Sequence, residues 1–304
     1  MKAIILAAGR GSRLGNYSAD MPKCMLMVGP RRIIDYQMQC LEALHIRDVV
    51  VVIGFKGASL EQYLRSTYPE VRFTFIENRS FTTTNTAYSL WLARDAMKDD
   101  DFLYFNGDVV FHAEILRRLL YSPEKNMLAI ARKKTGDEEV KVLLSGIKIA
   151  AIGKDIQPEQ AYGEFIGIAK FSKAIAELFG AKLEEVINLP SGRMHYFEAA
   201  VQRLLPGTAI AALDITDLPC IEIDFPQDLH DAQRRIIHKI ARIPDSVKKP
   251  KILFYVERNL HLPFLEPIHD YIAENYSAEL AFSSPPYIIS QGLYIGHGLC
   301  RDEI

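Results

Sequence analysis

Nowhere in this sequence does an apolar run approach the ~18 residues that a bilayer-spanning helix needs. The apolar opening, residues 1–8, breaks at Gly9-Arg10-Gly11-Ser12-Arg13, too early for the core of a signal peptide. Cysteine is scarce. Cys24, Cys40, Cys220 and Cys300 lie far apart with no CxxC spacing, which argues against a zinc site or a disulfide framework. They read as reduced thiols, mostly buried, in a cytoplasmic protein. There is no block of like charge. Lys+Arg number 36 and Asp+Glu 38, a net charge of −2, so a broad basic face for nucleic acid is not expected. A small cationic pocket for a phosphorylated ligand stays open. The eight histidines pair with no Ser, Asp or Cys in a hydrolase pattern, and neither internal repeats nor low-complexity tracts occur. With 49% hydrophobic and 24% charged residues in 304, the chain has the composition of a globular protein of about two domains.

Strands and helices alternate through the first part. Residues 2–8 form a short apolar run ending on glycine, which predicts a buried strand and then a loop. Residues 31–44 carry Ile33, Ile34, Met38, Leu41 and Leu44 at helical spacing. Residues 48–54 are β-branched at nearly every position, as a strand buried on both faces requires. A helix over 57–65, a strand over 71–76, a helix over 85–97 and a strand over 102–105 follow. That order predicts an α/β fold with a mostly parallel sheet. The second part is more mixed. Strands are expected over 127–132, 140–144, 163–171 and 219–223, with a hairpin connection at 145–148. Helices are expected over 172–178, 194–204 and 228–240. Two prolines and several charges make 243–250 a linker. Beyond it, a strand at 251–256, a helix at 262–275 and a strand at 278–282 read as a βαβ-like unit too small to bury a core alone.

Three strings carry chemistry. The first is Leu6-Ala7-Ala8-Gly9-Arg10-Gly11-Ser12-Arg13, followed by Pro22-Lys23. Glycines let backbone approach a ligand, and successive N–H groups cradle phosphate. Arg13 adds a fork of donors and Lys23 a mobile charge, a pair suited to a triphosphate. The loop is neither a Walker motif nor a full dinucleotide fingerprint. The second string is Asn106-Gly107-Asp108 after an apolar strand, where open α/β sheets bind ligands. Asp108 there suits either a Mg²⁺ ion or a plain turn. The third is Ile221-Glu222-Ile223-Asp224. Period-two spacing puts both carboxylates on one strand face, a costly arrangement unless a cation neutralises it or water solvates it. Asp108, Glu222 and Asp224 are thus the expected metal ligands.

In this order the strings resemble the nucleotidyltransferases that activate a phosphorylated compound with a nucleoside triphosphate. Among them the cytidylyltransferases acting on phosphocholine and related phospho-alcohols look most similar. Asn85-Thr86-Ala87-Tyr88-Ser89-Leu90, Asp137-Glu138-Glu139-Val140-Lys141-Val142 and Gly163-Glu164-Phe165-Ile166-Gly167-Ile168 point the same way. The resemblance implies a three-layer Rossmann-like fold over 1–242, Mg²⁺ dependence and transfer of CMP from CTP. It implies CTP binding by Leu6, Ala7, Ala8, Gly9, Gly11, Ser12, Arg13, Lys23, Asn85, Ser89, Gly107 and Asp108, with Lys23 and Arg13 acting on the phosphates. The base is not legible from residue types. Residues 251–304 faintly resemble the opening of polyglycerolphosphate-type glycerophosphotransferases, which would make a fused or neighbouring phosphotransferase domain a partner. For the acceptor, aromatic faces and a carboxylate suit a quaternary ammonium. Tyr162, Phe165 and Tyr196, with Glu164 and Glu198, are the candidates, and Lys154 is placed to approach a phosphate. The expected product is a CDP-alcohol such as CDP-choline. A sugar-1-phosphate, an inositol phosphate and aminoethylphosphonate remain alternative acceptors, and a nucleotide-sensing module that no longer turns over is the alternative outside catalysis.

Overall fold

The opening strand, Lys2–Ala7 (β1), shows how the chain builds its layers. Successive side chains of a strand point to opposite faces. Ala3, Ile5 and Ala7 join one apolar cluster and Ile4 and Leu6 another, all of them buried. In this computed structural model, residues 1–241, 251–255 and 279–283 are described. They fall into two units, Met1–Ala241 and Arg242–Ile304.

In the first unit β1 sits inside a nine-stranded sheet. The other strands are Asp48–Ile53 (β2), Arg72–Glu77 (β3), Phe102–Asn106 (β4), Met127–Ala131 (β5), Lys141–Ser145 (β6), Lys148–Gly153 (β7), Gly163–Phe171 (β8) and Ala211–Asp214 (β9). Their order across the sheet is β3-β2-β1-β4-β8-β5-β9-β7-β6. The first four are parallel, with Ile5 opposite Val51 on one side and Phe105 on the other. β8 enters antiparallel between β4 and β5, and only β9 beside β5 is parallel in the rest. One helical layer comprises Ile33–Ala43 (α1), Gly57–Thr67 (α2) and Glu114–Tyr121 (α4), through Ile34, Met38, Leu60, Leu64 and Leu116. The other layer holds Thr86–Leu92 (α3), Ala176–Ile187 (α5) and Glu198–Leu204 (α6), through Leu90, Phe179, Leu183 and Val201. The result is an α/β sandwich of three layers.

Several element boundaries differ from the sequence reading. The helix expected over 85–97 breaks at Ala93, and that expected over 194–204 starts only at Glu198. The helix expected at 172–178 runs instead to Ile187. Strands β7 and β9 and helix α4 were not anticipated. A third apolar cluster joins Leu14, Leu26, Val28 and Tyr36 to Ile223, Leu229 and Ile237. It clamps the helical run after Pro226 onto the segment that follows β1, bringing distant parts of the chain to one place. In the second unit, Lys251–Tyr255 and Glu279–Ser283 pair in parallel from Lys251 opposite Glu279 to Tyr255 opposite Ser283. The expected linker at 243–250, the helix at 262–275 and Cys300 lie outside the described residues.

Candidate active site

The C-terminal ends of β1 and β4 open into a cleft of about 590 Å³. Gly11 follows β1 in the left-handed region at φ 68°, and a Cβ there would stand 3.1 Å from Cβ of Lys23. Glycine therefore both permits the turn and makes room for the lysine stem. Ser18 Oγ closes the loop by donating to Gly11 O at 2.7 Å. Pro22, in an extended conformation, turns the chain so that Lys23 enters the cleft.

Lys23 is the electrostatic centre. Its Nζ donates to Asp108 Oδ2 at 2.7 Å and also to Asp224 Oδ1. Burial works against its charge, but the two carboxylates more than offset that and raise its pKa, so it is an ammonium. Arg13 lies 3.9 Å from Asp224 and 3.5 Å from Glu138, with its guanidinium 5.4 Å from the Phe225 ring centre. The turn bearing Asp108 is fastened from below, where Gln37 Nε2 donates to the carbonyls of Asn106 and Val109 at 2.8 and 2.9 Å. Gly167, at φ 73°, leaves the space that Asn106 fills. Asn106 Nδ2 in turn donates to Glu222 Oε1 at 3.0 Å. Burial, and then the charge of Asp108, push the Glu222 carboxyl well above its usual range.

The three expected metal ligands thus have distinct surroundings. Glu222 ends the strand Cys220–Glu222 and bonds Asn106, whereas Asp224 lies past the strand, where its N–H donates to Asp228. The single strand face inferred from period-two spacing is not formed, because the strand stops first. Among the described residues, no group of three or more His, Cys, Asp or Glu side chains is arranged to hold an ion. Asp108 Oδ1 is nevertheless buried without a hydrogen-bond partner. An unsatisfied carboxylate oxygen beside Asp224 fits Mg²⁺, which takes one or two carboxylates and completes its shell with water and phosphate.

Leu6, Ala7, Ala8, Gly9, Gly11, Ser12, Arg13, Lys23, Asn85, Ser89, Gly107 and Asp108 all line this cleft. Asn85 caps α3, its side chain accepting from the Thr86 N–H at 2.9 Å. Ser89 Oγ accepts from Asn78 Nδ2 at 3.0 Å. Asn78 also bonds Thr84, so it pins the loop before α3. Asn78 escaped the sequence reading, since a lone Asn between a strand and a Ser/Thr-rich loop reads as an ordinary turn residue.

Across the cleft stand Lys154, Glu164, Phe165, Tyr196 and Glu198. Tyr162 does not join them. Its hydroxyl lies 3.3 Å from Asp214 and Arg132 covers its ring, so the fold does not bring it to the cleft with the other acceptor candidates. Phe165 is 3% exposed and packs against Phe197, which stacks on Tyr104 with ring centres 4.1 Å apart. Lys154 Nζ sits 4.6 Å from the Tyr196 ring centre and 3.7 Å from Glu138. Glu198 is buried, and burial pushes its carboxyl up to about 7 against the pull of its backbone hydrogen bond and Lys154. Thr86 Oγ1 accepts from the Phe197 N–H at 2.8 Å, joining the start of α3 to the segment that carries Tyr196 and Glu198. Burial pushes the thiols of Cys24, Cys40 and Cys220 up to about 12, so none is an activated nucleophile. No described helix is long and apolar enough to cross a membrane.

A glycine loop at the end of the first strand, two cations over it and carboxylates from two later segments meet in one cleft of an α/β sheet. The chain belongs to the MobA-like NTP transferase domain family, whose model matches residues 3–157. It is 29% identical over 245 residues to the CMP-5'-(3-aminopropyl)phosphonate synthase of Streptomyces rubellomurinus, covering 77% of this chain and 38% of that one. This chain therefore spans well under half of that relative. It is 30% identical over 190 residues to the CTP:phosphoglutamine cytidylyltransferase of Campylobacter jejuni, covering 57% of this chain and 73% of the other. The fold matches a solved CTP:phosphocholine cytidylyltransferase from Streptococcus pneumoniae with a TM-score of 0.62 at 20% identity, over 76% of this chain and 97% of that one. The first unit is accordingly a nucleotidyltransferase domain.

Proposed function

We propose that this domain transfers CMP from CTP to a small phosphorylated or phosphonylated compound with a cationic nitrogen, releasing pyrophosphate. Phosphocholine is the first such acceptor to try. The observation that carries the reading is Lys23, an ammonium clamped between Asp108 and Asp224 at the mouth of the glycine loop. The cytidine base is supported by the CTP and CMP in the two relatives' names. A cationic acceptor is supported by Glu164 and Glu198, two buried acidic side chains that line the cleft.

An acceptor phosphate oxygen attacks the α-phosphorus of CTP as the bond to pyrophosphate breaks. The attacking oxygen is already ionised, so no general base is needed and catalysis rests on alignment and charge. Lys23 neutralises charge growing on the α-phosphate, and Arg13 holds the departing pyrophosphate. Backbone N–H groups of the loop from Gly9 to Ser12 cradle the remaining oxygens. Asp108 and Asp224 are the residues that would hold Mg²⁺, with Glu222 behind them. The ion would supply further neutralisation of phosphate charge.

Measuring pyrophosphate release tests the proposal, crossing the four nucleoside triphosphates with phosphocholine, phosphoethanolamine, aminoethylphosphonate, glycerol-3-phosphate and hexose phosphates. CTP with an acceptor that bears a cationic nitrogen should give the largest signal. A signal only with hexose phosphates would refute the cationic acceptor, and none with CTP would refute the base.

A further inference from the structure

One ion pair in the cleft has no part in the transfer chemistry. Lys133 Nζ lies 2.6 Å from Glu164 Oε2. Strand register brings them together: Glu164 of β8 pairs with Ala131 of β5, and Lys133 follows two residues later. The partners are unequal, for the Glu164 side chain is 8% exposed and that of Lys133 57%. Glu164 Oε2 is buried and has no partner besides this lysine. Behind the pair is a second cavity of about 180 Å³, which shares Lys133, Glu164, Ile221 and Glu222 with the main cleft. Arg132, the other cation lining it, is held by Asp214 at 2.7 Å.

We propose that Lys133 and Glu164 read an amino-acid-like end on the acceptor, Glu164 taking its ammonium and Lys133 its carboxylate, with the second cavity receiving the carboxylate arm. The proposal deepens the transferase reading and rests on it. A ligand bearing only an amine must compete with Lys133 for Glu164, leaving the lysine unpaired. One bearing both charges exchanges a single ion pair for two, and no buried charge is left uncompensated. A neutral polyol gains nothing from either residue. The lysine is long and half in solvent, so the exchange needs only its side chain to move.

O-phospho-L-serine and phosphoethanolamine differ only by the carboxylate, which makes them the matched probes. With CTP, the kcat/KM for O-phospho-L-serine should exceed that for phosphoethanolamine at least tenfold. Lys133→Gln should lower this ratio about tenfold, and Lys133→Arg should largely keep it. Equal use of the two acceptors by the unaltered chain, or a ratio indifferent to Lys133→Gln, would overturn the proposal. If phosphocholine or a hexose phosphate releases pyrophosphate and O-phospho-L-serine does not, the amino-acid end is refuted while the transferase stands. If no acceptor releases pyrophosphate, both readings fall.

Discussion

The two walls of the cleft are built by different means. The wall proposed to hold the nucleotide is made of backbone and fixed charge: a left-handed Gly11, a turn fastened by Gln37, and Lys23 locked between two carboxylates. The wall proposed to hold the acceptor is made of side chains that already hold one another, Lys154 over Tyr196 and Lys133 on Glu164. A locked wall can serve a constant chemistry, because phosphates always bring the same charge and size. A wall of exchangeable pairs can serve a variable one, because a new acceptor needs only a new set of partners.

The sharpest break in this contrast comes from the fixed side. Asp108→Asn removes a charge that Lys23, and by proposal Mg²⁺, depends on. Turnover should fall by about three orders of magnitude, and calorimetry should show a lowered Tm, because buried Lys23 keeps only Asp224 as a partner. Wild-type activity that persists after exhaustive EDTA treatment would remove the metal from this account. Lys23→Ala should lower kcat by about 10²–10³ while raising the KM for CTP far less, since its charge matters most as the transition state forms. A rise in KM alone would make Lys23 a ground-state binder.

Smaller effects are expected from the exchangeable side. Glu198→Gln should raise the acceptor KM on the order of tenfold and leave that for CTP almost unchanged. The pH dependence gives the sign. With its carboxyl pushed up to about 7 by burial, Glu198 is largely protonated at pH 6 and ionised at pH 8. An ammonium prefers the ionised form, so the acceptor KM should fall as pH rises through this range, more steeply in the wild type than in Glu198→Gln. An identical profile in the two would separate Glu198 from acceptor binding. The smallest effect should come from Gly11→Ala, which places a side chain at φ 68° and against Lys23. A loss of ~1–2 kcal/mol in stability is expected from chemical denaturation, with some loss of turnover as Lys23 shifts.

The same contrast governs what was legible beforehand. The parallel half of the fold shows in the β-branched run of β2 and the helical spacing of Ile34, Met38 and Leu41, because those patterns are local. That the loop from Gly9, Lys23 and Asp108 would share one cleft is legible too, since all three lie on segments that follow the ends of neighbouring strands. β7 and β9 were hidden because Ala150, Ala151, Ala211 and Ala212 carry little strand preference, and neighbouring strands decide their state. Tyr162 was misplaced because adjacency to Glu164 in sequence says nothing of what its hydroxyl meets across the sheet. The Lys133–Glu164 and Lys154–Tyr196 contacts likewise depend on register between distant strands, which no local pattern records.

Labelled nucleotide shows most directly whether both walls act on one phosphorus. CTP carrying ³²P at the α-position would be mixed with the protein, Mg²⁺ and an amine-bearing acceptor, and the products separated. The label should move into a conjugate with the acceptor, with one pyrophosphate released for each label transferred. Label that stays in CTP, or passes to free CMP whichever acceptor is present, would contradict the proposed transfer.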